Sequence, residues 1–212
     1  MPSALAQPQP LLSVEDYLEG EKRSEIRHEY LGGYIYAMAG ASADHNRIAG
    51  DIHTELREQL RSKRCEPFMA DMKLRVAATD TFYYPDVLVA CDPTDKAKYF
   101  RERPTVVFEV LSPDTERTDQ REKWLAYALV PSLKVYVIVS QEKCEVTVLR
   151  RAPGSAGILP ANGAKAATLP WRAQTLTDLT SVLNLPEIKV KIPLERIYER
   201  TALFQEGRKR KQ

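Results

Sequence analysis

The chain has 212 residues, and 43% of them are hydrophobic, which is enough for the packed core of one domain. Its 31 basic and 29 acidic residues leave a net charge of +2, which gives no whole-molecule electrostatic case for a nucleic-acid or membrane partner, so any nucleic-acid site must be local. Cys65, Cys91 and Cys144 are odd in number and lack a C-x-x-C pair, which argues against a disulfide framework and a zinc site. We therefore expect a reducing, cytoplasmic setting.

The N-terminal sequence MPSALAQPQPLL has neither the basic nor the apolar region of a signal peptide, and the chain has no run of about 18 apolar residues for a membrane span. The sequence thus predicts a protein that is neither exported nor membrane-bound. The Pro-rich residues 1–11 are expected to be disordered. Ser13, with Asp16 three positions on, predicts the N-cap of a short helix that ends at Gly20.

A hairpin and a long helix are predicted next. Runs rich in tyrosine and isoleucine between Ile26 and Met38 flank Gly32-Gly33, which is typical of a two-residue turn between antiparallel strands. This hairpin carries Glu29. From Asp44 to Arg64, apolar residues recur at helical spacing and predict an amphipathic helix that packs on a sheet. The expected buried stripe of this helix consists of Ile48, Ile52, Leu56 and Leu60.

The middle of the chain is expected to form the centre of a mixed sheet. The segment from Met72 to Val76 alternates apolar with basic residues, among them Lys73. Three continuous apolar runs are typical of strands buried on both faces: Val87–Ala90, Val106–Phe108 and Val135–Val139. Residues 119–129 predict a helix before Pro131, and a strand-helix-strand crossover keeps its two strands parallel. The expected apolar face of that helix comprises Trp124, Leu125, Ala128 and Leu129.

The remaining segments predict one more strand and two irregular regions. The segment from Glu145 to Arg150 alternates like a strand, whereas residues 151–167 are rich in Ala, Gly and Pro and predict a dispensable, irregular insertion. Residues 205–212 are expected to form a solvated basic tail. The whole chain, residues 1–212, is therefore predicted to be a single α/β domain in which helices flank a mixed β-sheet.

Two carboxylates stand at the edges of apolar strands. Asp86 precedes the run Val87–Ala90, and Glu109 follows Val106–Phe108, where a charge is costly unless it is paired or binds a metal. If the two strands are neighbours, about 4.8 Å apart, both carboxylates can converge on one Mg²⁺. Spacing alone favours the alternative, in which each carboxylate only ends its strand and pairs with an arginine or a backbone amide, because acidic residues at strand ends are common.

The order of motifs around these carboxylates is more specific than either residue alone. The segments are His28–Gly33, Asp44–Arg47, Tyr84–Val87, Val107–Thr115, Asp119 with Lys123 and Tyr127, and Val135–Val139. From Leu12 to Leu149 this pattern resembles the bacterial Uma-two family of restriction endonucleases, within the PD-(D/E)XK nuclease superfamily. The resemblance implies a restriction endonuclease-like core that acts on nucleic acid, with DNA as the expected partner, and that forms a homodimer.

The resemblance also implies a site. Asp86 and Glu109 would be ligands of Mg²⁺, for which Mn²⁺ can substitute, and the backbone carbonyl of Val110 would be a third ligand. Glu29 would be a further carboxylate in the same cleft. Lys123 matches the family's lysine on the following helix, which would orient the attacking water or stabilise developing charge.

Several features leave the role of the lysine open. The superfamily usually has a lysine at the place of Leu111, and family members commonly have a serine at the place of Asp114. Lys123 lies four residues after Asp119, so a solvent-facing salt bridge competes evenly with a catalytic role. Lys73 is a weaker substitute on its strand, where it is a candidate contact to nucleic acid.

Histidines and tyrosines add weaker candidates. His45 matches a family position and is a candidate for contacting phosphate or transferring a proton, although a histidine on a half-buried helix is more often simply hydrogen-bonded. His53, eight residues on, is able to reach the same side of a cleft. Stacking on bases is one role for the tyrosines, but packing against neighbouring strands is favoured. These are Tyr34, Tyr36, Tyr83 and Tyr84.

Two functions are compatible with this sequence. One is a Mg²⁺-dependent endonuclease that hydrolyses nucleic-acid phosphodiesters. The other is a catalytically silent module of the same fold that binds nucleic acid or a second copy of itself, for which Leu111 and Asp114 are the best support.

Overall fold

A computed structural model describes residues 11–69, 71–111, 118–153 and 171–204, with only the backbone of residues 118–121 described. Its helices are α1 (Val14–Glu21), α2 (Ala43–Leu60), α3 (Thr118–Ala128) and α4 (Leu194–Tyr198). Its strands are β1 (His28–Leu31), β2 (Tyr34–Ala37), β3 (Glu66–Met69), β4 (Lys73–Val76), β5 (Thr81–Tyr83), β6 (Val87–Ala90), β7 (Phe100–Arg101), β8 (Pro104–Leu111), β9 (Val135–Ser140), β10 (Val146–Arg151), β11 (Trp171–Leu176), β12 (Val182–Leu185) and β13 (Val190–Pro193).

The described strands form two large sheets and a small one. The five-stranded sheet has the order β2-β1-β5-β4-β7, the six-stranded sheet β11-β10-β9-β8-β6-β3, and β12 pairs with β13. Both large sheets are mixed, since β4 runs parallel to β7 and β8 parallel to β9. The predicted α/β class with helices flanking mixed sheets is confirmed. Within the described chain, no helix is long and apolar enough to cross a membrane.

The first helix packs on the β1–β2 hairpin, which forms one end of the five-stranded sheet. The Ser13 hydroxyl accepts a hydrogen bond from the Asp16 N–H, as the capping pattern predicts. Gly32 and Gly33 both have positive φ, which the two-residue turn requires. The helix packs on the hairpin through the stacked rings of Tyr17 and Tyr30.

The six-stranded sheet is covered on its two faces by α2 and α3. The predicted stripe of α2 is fully buried against one face. The predicted parallel pairing is confirmed, because β8 and β9, on either side of α3, align Val106 with Val135. The buried face of α3 differs from the prediction, since Tyr127 is completely buried whereas Leu125 is 38% exposed.

The cysteine prediction was wrong for two of the three residues. Cys65 precedes β3 and Cys91 follows β6, and the antiparallel register of these strands places the two residues opposite each other. They form a disulfide, and Cys144 is a free thiol. A pairing across 26 residues depends on strand register, which an odd cysteine count does not reveal.

Arg151 corrects the predicted start of the irregular insertion. It is the last residue of β10, and its guanidinium donates hydrogen bonds to the carbonyls of Ala128, Val130 and Leu133 just after α3. It also lies over the Trp171 ring, 4.6 Å from the centroid. Arg151 therefore closes the C-terminal end of α3, where unpaired carbonyls concentrate. The rest of the insertion beyond Pro153 and the basic tail lie outside the described residues, as do residues 1–10 of the N-terminal segment.

We predict that Arg151→Ala lowers the free energy of unfolding by about 2 to 4 kcal/mol, because hydrogen bonds from a charged donor to buried carbonyls contribute about 1.5 to 3 kcal/mol and the stacking contact is lost as well. Urea denaturation measures the change. Arg172→Ala on β11 is the control, since Arg172 is exposed. Equal stability of the two variants would contradict the capping role.

Candidate active site

The two sequence-predicted carboxylates lie side by side across two paired strands. β6 and β8 are antiparallel, with Val87 opposite Phe108, so Asp86 and Glu109 occupy the next position along the pair. Residues opposite each other on an antiparallel pair share one face of the sheet. The Val110 N–H fixes Asp86, because it donates a 2.7 Å hydrogen bond to Oδ2. Both carboxylates line the same cleft.

Glu109 is the more buried of the pair. Glu109 is buried, and the Tyr127 hydroxyl donates a 2.7 Å hydrogen bond to its Oε1. The pKa of Glu109 is raised to about 8, mainly by burial and also by the nearby carboxylates of Asp86 and Glu29. Lys123 and the Tyr127 hydrogen bond act in the opposite direction. The site is therefore short of positive charge.

Lys123 faces this cluster rather than solvent. Its ammonium lies 2.9 Å from Oε1 of Glu29, and the two side chains are only 12% and 14% exposed. The ammonium also lies 5.8 Å from the centroid of the Tyr83 ring. This position disfavours the alternative of a solvent-facing salt bridge, although the side chain of its proposed partner Asp119 lies outside the described residues. The predicted apolar face of α3 was wrong at one position, because it included Leu125 and omitted Tyr127.

His45 contacts the cluster from the first turn of α2. Its Nε2 lies 3.3 Å from Oδ2 of Asp86. The hydrogen bond to Asp86 raises the pKa of His45, and burial opposes this effect. The N-cap of α2 fixes the histidine, because the Ser42 hydroxyl accepts the His45 N–H and donates to Oε1 of Gln141. His45 therefore reaches the proposed metal ligand directly and places its imidazole beside the carboxylates.

The cleft has a volume of about 1110 Å³ and is acidic. Among the described residues, its charged lining side chains are five carboxylates, one arginine and one lysine: Glu29, Asp44, Asp86, Glu109, Glu142, Arg47 and Lys123. Another part of the lining, residues 36–43, carries no charge and runs from β2 to the start of α2. Polyanionic ligands are repelled by such a lining unless a cation is added.

The donor set suits a hard divalent cation. In the described part of the chain, no group of three or more His, Cys, Asp or Glu side chains is arranged to hold a metal ion. Mg²⁺ needs less, since it is usually held by one or two carboxylates together with water. The second carboxylate oxygens, Oδ1 of Asp86 and Oε2 of Glu109, make no hydrogen bond to described residues. With the Val110 carbonyl beside them, these oxygens fit the predicted ligand set.

Two other predicted contacts lie outside this cluster. Lys73 is 7% exposed, with its ammonium 5.2 Å from the centroid of the Tyr84 ring, and it does not line the cleft. Burial lowers its pKa. Lys73 therefore lies beside Tyr84 and away from this cluster, and its contact to nucleic acid stays a prediction. His53 also lies away from the cleft and has a hydrogen bond to the backbone of Pro67.

The tyrosines divide into two pairs. Tyr83 and Tyr84 are buried, as the packing interpretation predicts. Tyr34 and Tyr36 are 61% and 54% exposed, so that interpretation was wrong for them. They lie on β2, which is the last strand at one end of the five-stranded sheet among the described residues.

Sequence reasoning missed two groups of buried polar residues. Tyr127 was part of the family pattern but had no assigned role; its spacing of four from Lys123 was the available signal, because both reach the same side of α3. The carboxylate of Glu21 accepts hydrogen bonds from the Tyr84 hydroxyl and from Nδ1 of His28 and so ties α1 to the strand before Asp86. Glu21 had no comparable signal in the sequence.

Comparisons with known proteins agree with this architecture. An uncharacterised protein of Synechocystis, slr1290, is 40% identical over 145 residues, which are 68% of this chain and 76% of the relative. A second, sll1609, is 31% identical over 134 residues, 62% of this chain and 76% of the relative. The crystal structure of a "putative nuclease belonging to DUF820" from Anabaena variabilis matches with a TM-score of 0.65 at 14% identity, over 89% of this chain and 98% of that chain. This last match shows a shared fold.

The family model described as "Putative restriction endonuclease", Uma2, matches residues 14–176. That range contains both carboxylates, the hairpin and α3. The resemblance inferred from the order of motifs is confirmed, and the chain belongs to the Uma2 family.

Proposed function

We propose that this chain is a metal-dependent endonuclease that hydrolyses phosphodiester bonds of nucleic acid, with DNA as its substrate. The observation that carries the proposal is the pair Asp86 and Glu109, which converge at the end of two strands while Glu109 is buried and lacks a full positive partner. Such a charge destabilises the folded chain, so its retention is best explained by a bound cation.

Each side chain of the cluster has a separate task in this proposal. Asp86 and Glu109 hold Mg²⁺ or Mn²⁺, with the Val110 carbonyl as a third oxygen. A bound cation of this kind supplies charge neutralisation at the scissile phosphate and a more acidic water. Tyr127 orients the Glu109 carboxylate through its hydroxyl, and the Val110 N–H orients Asp86.

Lys123 takes the place that Leu111 leaves open. Glu29 holds the Lys123 ammonium on the cleft side of α3. There the ammonium orients the attacking water or stabilises the charge that develops on the phosphate oxygens. Glu29 thereby positions the lysine. His45, whose Nε2 lies 3.3 Å from Oδ2 of Asp86, is placed to accept the proton released as water attacks.

A cleavage assay tests the function most simply. With Mg²⁺ or Mn²⁺, the wild-type chain should cut at least one member of a panel of single- and double-stranded DNA and RNA, and chelation by EDTA should stop the reaction. Asp86→Asn keeps the size of the side chain but loses its charge, so it should lower the rate by roughly 10²-fold or more. Binding without cleavage on every substrate would support the alternative, a silent module of the same fold.

Lys123→Met should lower the rate to a similar extent, by roughly 10²-fold. The change also leaves the Glu29 charge without its ion pair, so the test is repeated on Glu29→Gln/Lys123→Met, which removes both charges. Lys73→Met is the matched control because Lys73 is a buried lysine that does not line the cleft. Full activity of both Lys123 variants, with activity lost in Lys73→Met, would show that Lys73 and not Lys123 is the lysine required for cleavage.

Glu109→Gln should stabilise the metal-free protein increasingly as pH rises. Below pH 4 the carboxyl is neutral in both the folded and unfolded states, so the substitution changes little. Above the ordinary pKa of 4.5 the unfolded chain ionises while burial opposes ionisation in the folded chain until about pH 8, and folding loses stability. Glutamine does not ionise, so the Glu109→Gln variant does not lose stability for this reason.

The measurement is the difference in Tm between Glu109→Gln and wild type in EDTA across this pH range. Glu66→Gln, an exposed position on β3, is the control. A difference in Tm that stays constant or shrinks with rising pH would show that burial does not disfavour the Glu109 carboxylate.

A further inference from the structure

The edge strand β2 has an unusual surface. It ends the five-stranded sheet, and all four of its residues are exposed. The exposure continues to residue 43, and residues 34–43 contain no charged side chain and no proline. Four large apolar side chains lie within five residues of this stretch: Tyr34, Ile35, Tyr36 and Met38. The stretch is therefore apolar on both faces.

The backbone of β2 has hydrogen-bonding groups that point away from its sheet. The Met38 N–H donates to the Arg27 carbonyl, and hydrogen-bonded pairs alternate along an antiparallel hairpin. Tyr34 and Tyr36 therefore point their N–H and C=O groups towards β1, whereas Ile35 and Ala37 point theirs outward. An open edge with free backbone groups is a template for another strand.

The other edges of the two large sheets are protected. β3 carries Glu66 and Pro67, β11 carries Arg172, and β7 is only two residues long and ends in Arg101. Charge, proline and short length are the devices that keep sheet edges from pairing. Among these four described edges, β2 alone lacks all of them. The contrast within one molecule indicates that its edge is kept open for a partner.

We infer that β2 pairs antiparallel with β2 of a second copy of this chain, about a two-fold axis at Tyr36. This register sets Ile35 opposite Ala37 of the partner subunit, so that the outward backbone groups of both strands are satisfied in reciprocal pairs. Tyr36 then faces the partner's Tyr36, and Tyr34 faces the partner's Met38. Aromatic pairs of this kind stabilise adjacent strands. The strand is thus complementary to itself in sequence and in hydrogen bonding.

A second copy fits this edge better than nucleic acid does. Phosphate groups dominate nucleic-acid binding and require basic side chains, and residues 34–43 have none. A two-fold axis perpendicular to the joined sheets also places the same face of each five-stranded sheet on one side of the dimer. Because Tyr36 lies opposite Glu29 on the cleft face of the hairpin, the two clefts would open on the same side of the dimer. The pairing itself does not depend on the metal site.

Sedimentation analysis across a wide range of concentrations tests the interface. The wild-type chain should be a dimer, and Ile35→Lys should shift it to a monomer, because lysines would lie on both sides of the two-fold axis. Val182→Lys is the control, since Val182 is a comparably exposed apolar residue on β12, and it should remain dimeric. A monomeric wild type would overturn the proposal and would fit an edge covered by the chain's own undescribed segments. A dimer that survives Ile35→Lys would overturn it as well.

Cross-linking tests the register. In a Cys144→Ser background, Tyr36→Cys should form a disulfide-linked dimer under mild oxidation, because residues of a non-hydrogen-bonded pair have Cα atoms about 4.5 Å apart. Tyr34→Cys, equally exposed, should not, since its copies would lie roughly 13 Å apart along the strands. Tyr34→Cys combined with Met38→Cys should restore the cross-link. Equal cross-linking of Tyr34→Cys and Tyr36→Cys would contradict the register.

Discussion

The burial of the Glu109 carboxylate is the constraint on which the candidate site depends. Burial and two neighbouring carboxylates disfavour its charge, while the Lys123 ammonium and the Tyr127 hydroxyl favour it. Charges buried without full compensation weaken a fold. They are concentrated at functional sites, where the chemistry requires them despite this cost. The surrounding contacts fix these groups in place: the Val110 N–H fixes Asp86, and Glu29 fixes Lys123. The shortage of positive charge is therefore located at the end of β8, around Glu109.

The fold produces this position through two strand pairings and one crossover. The antiparallel pairing of β6 with β8 brings Asp86 beside Glu109, and the parallel pairing of β8 with β9 requires the connection to cross over the sheet through α3. That helix delivers Lys123 and Tyr127 to the same end of β8. The hairpin adds Glu29 from the neighbouring sheet. Residues more than 80 positions apart in the chain thus meet through ordinary rules of sheet topology.

Much of this was predictable from the sequence, because periodicity and turn residues are local signals. The stripe of α2, the Gly32-Gly33 turn and the apolar strand Val87–Ala90 all lie where their patterns predict. The two carboxylates were recognisable because each adjoins an apolar run. The resemblance to a family supplied the lysine on α3, which spacing alone left open between a surface pair and the cleft.

The remaining features depend on register and packing, which a single sequence does not state. The disulfide between Cys65 and Cys91 follows from the alignment of β3 with β6. The burial of Tyr127 in place of Leu125 follows from the rotation of α3 on the sheet, and the burial of Lys73 follows from its packing beneath Tyr84. The exposure of Tyr34 and Tyr36 follows from strand order, because β2 proved to be the last strand of its sheet.

Anomalous diffraction from crystals grown with Mn²⁺ tests the central claim, that the carboxylate pair is built to hold a cation. The account predicts one strong peak within roughly 2.5 Å of an oxygen of both Asp86 and Glu109. A peak only at other residues, or none at saturating Mn²⁺, would contradict it.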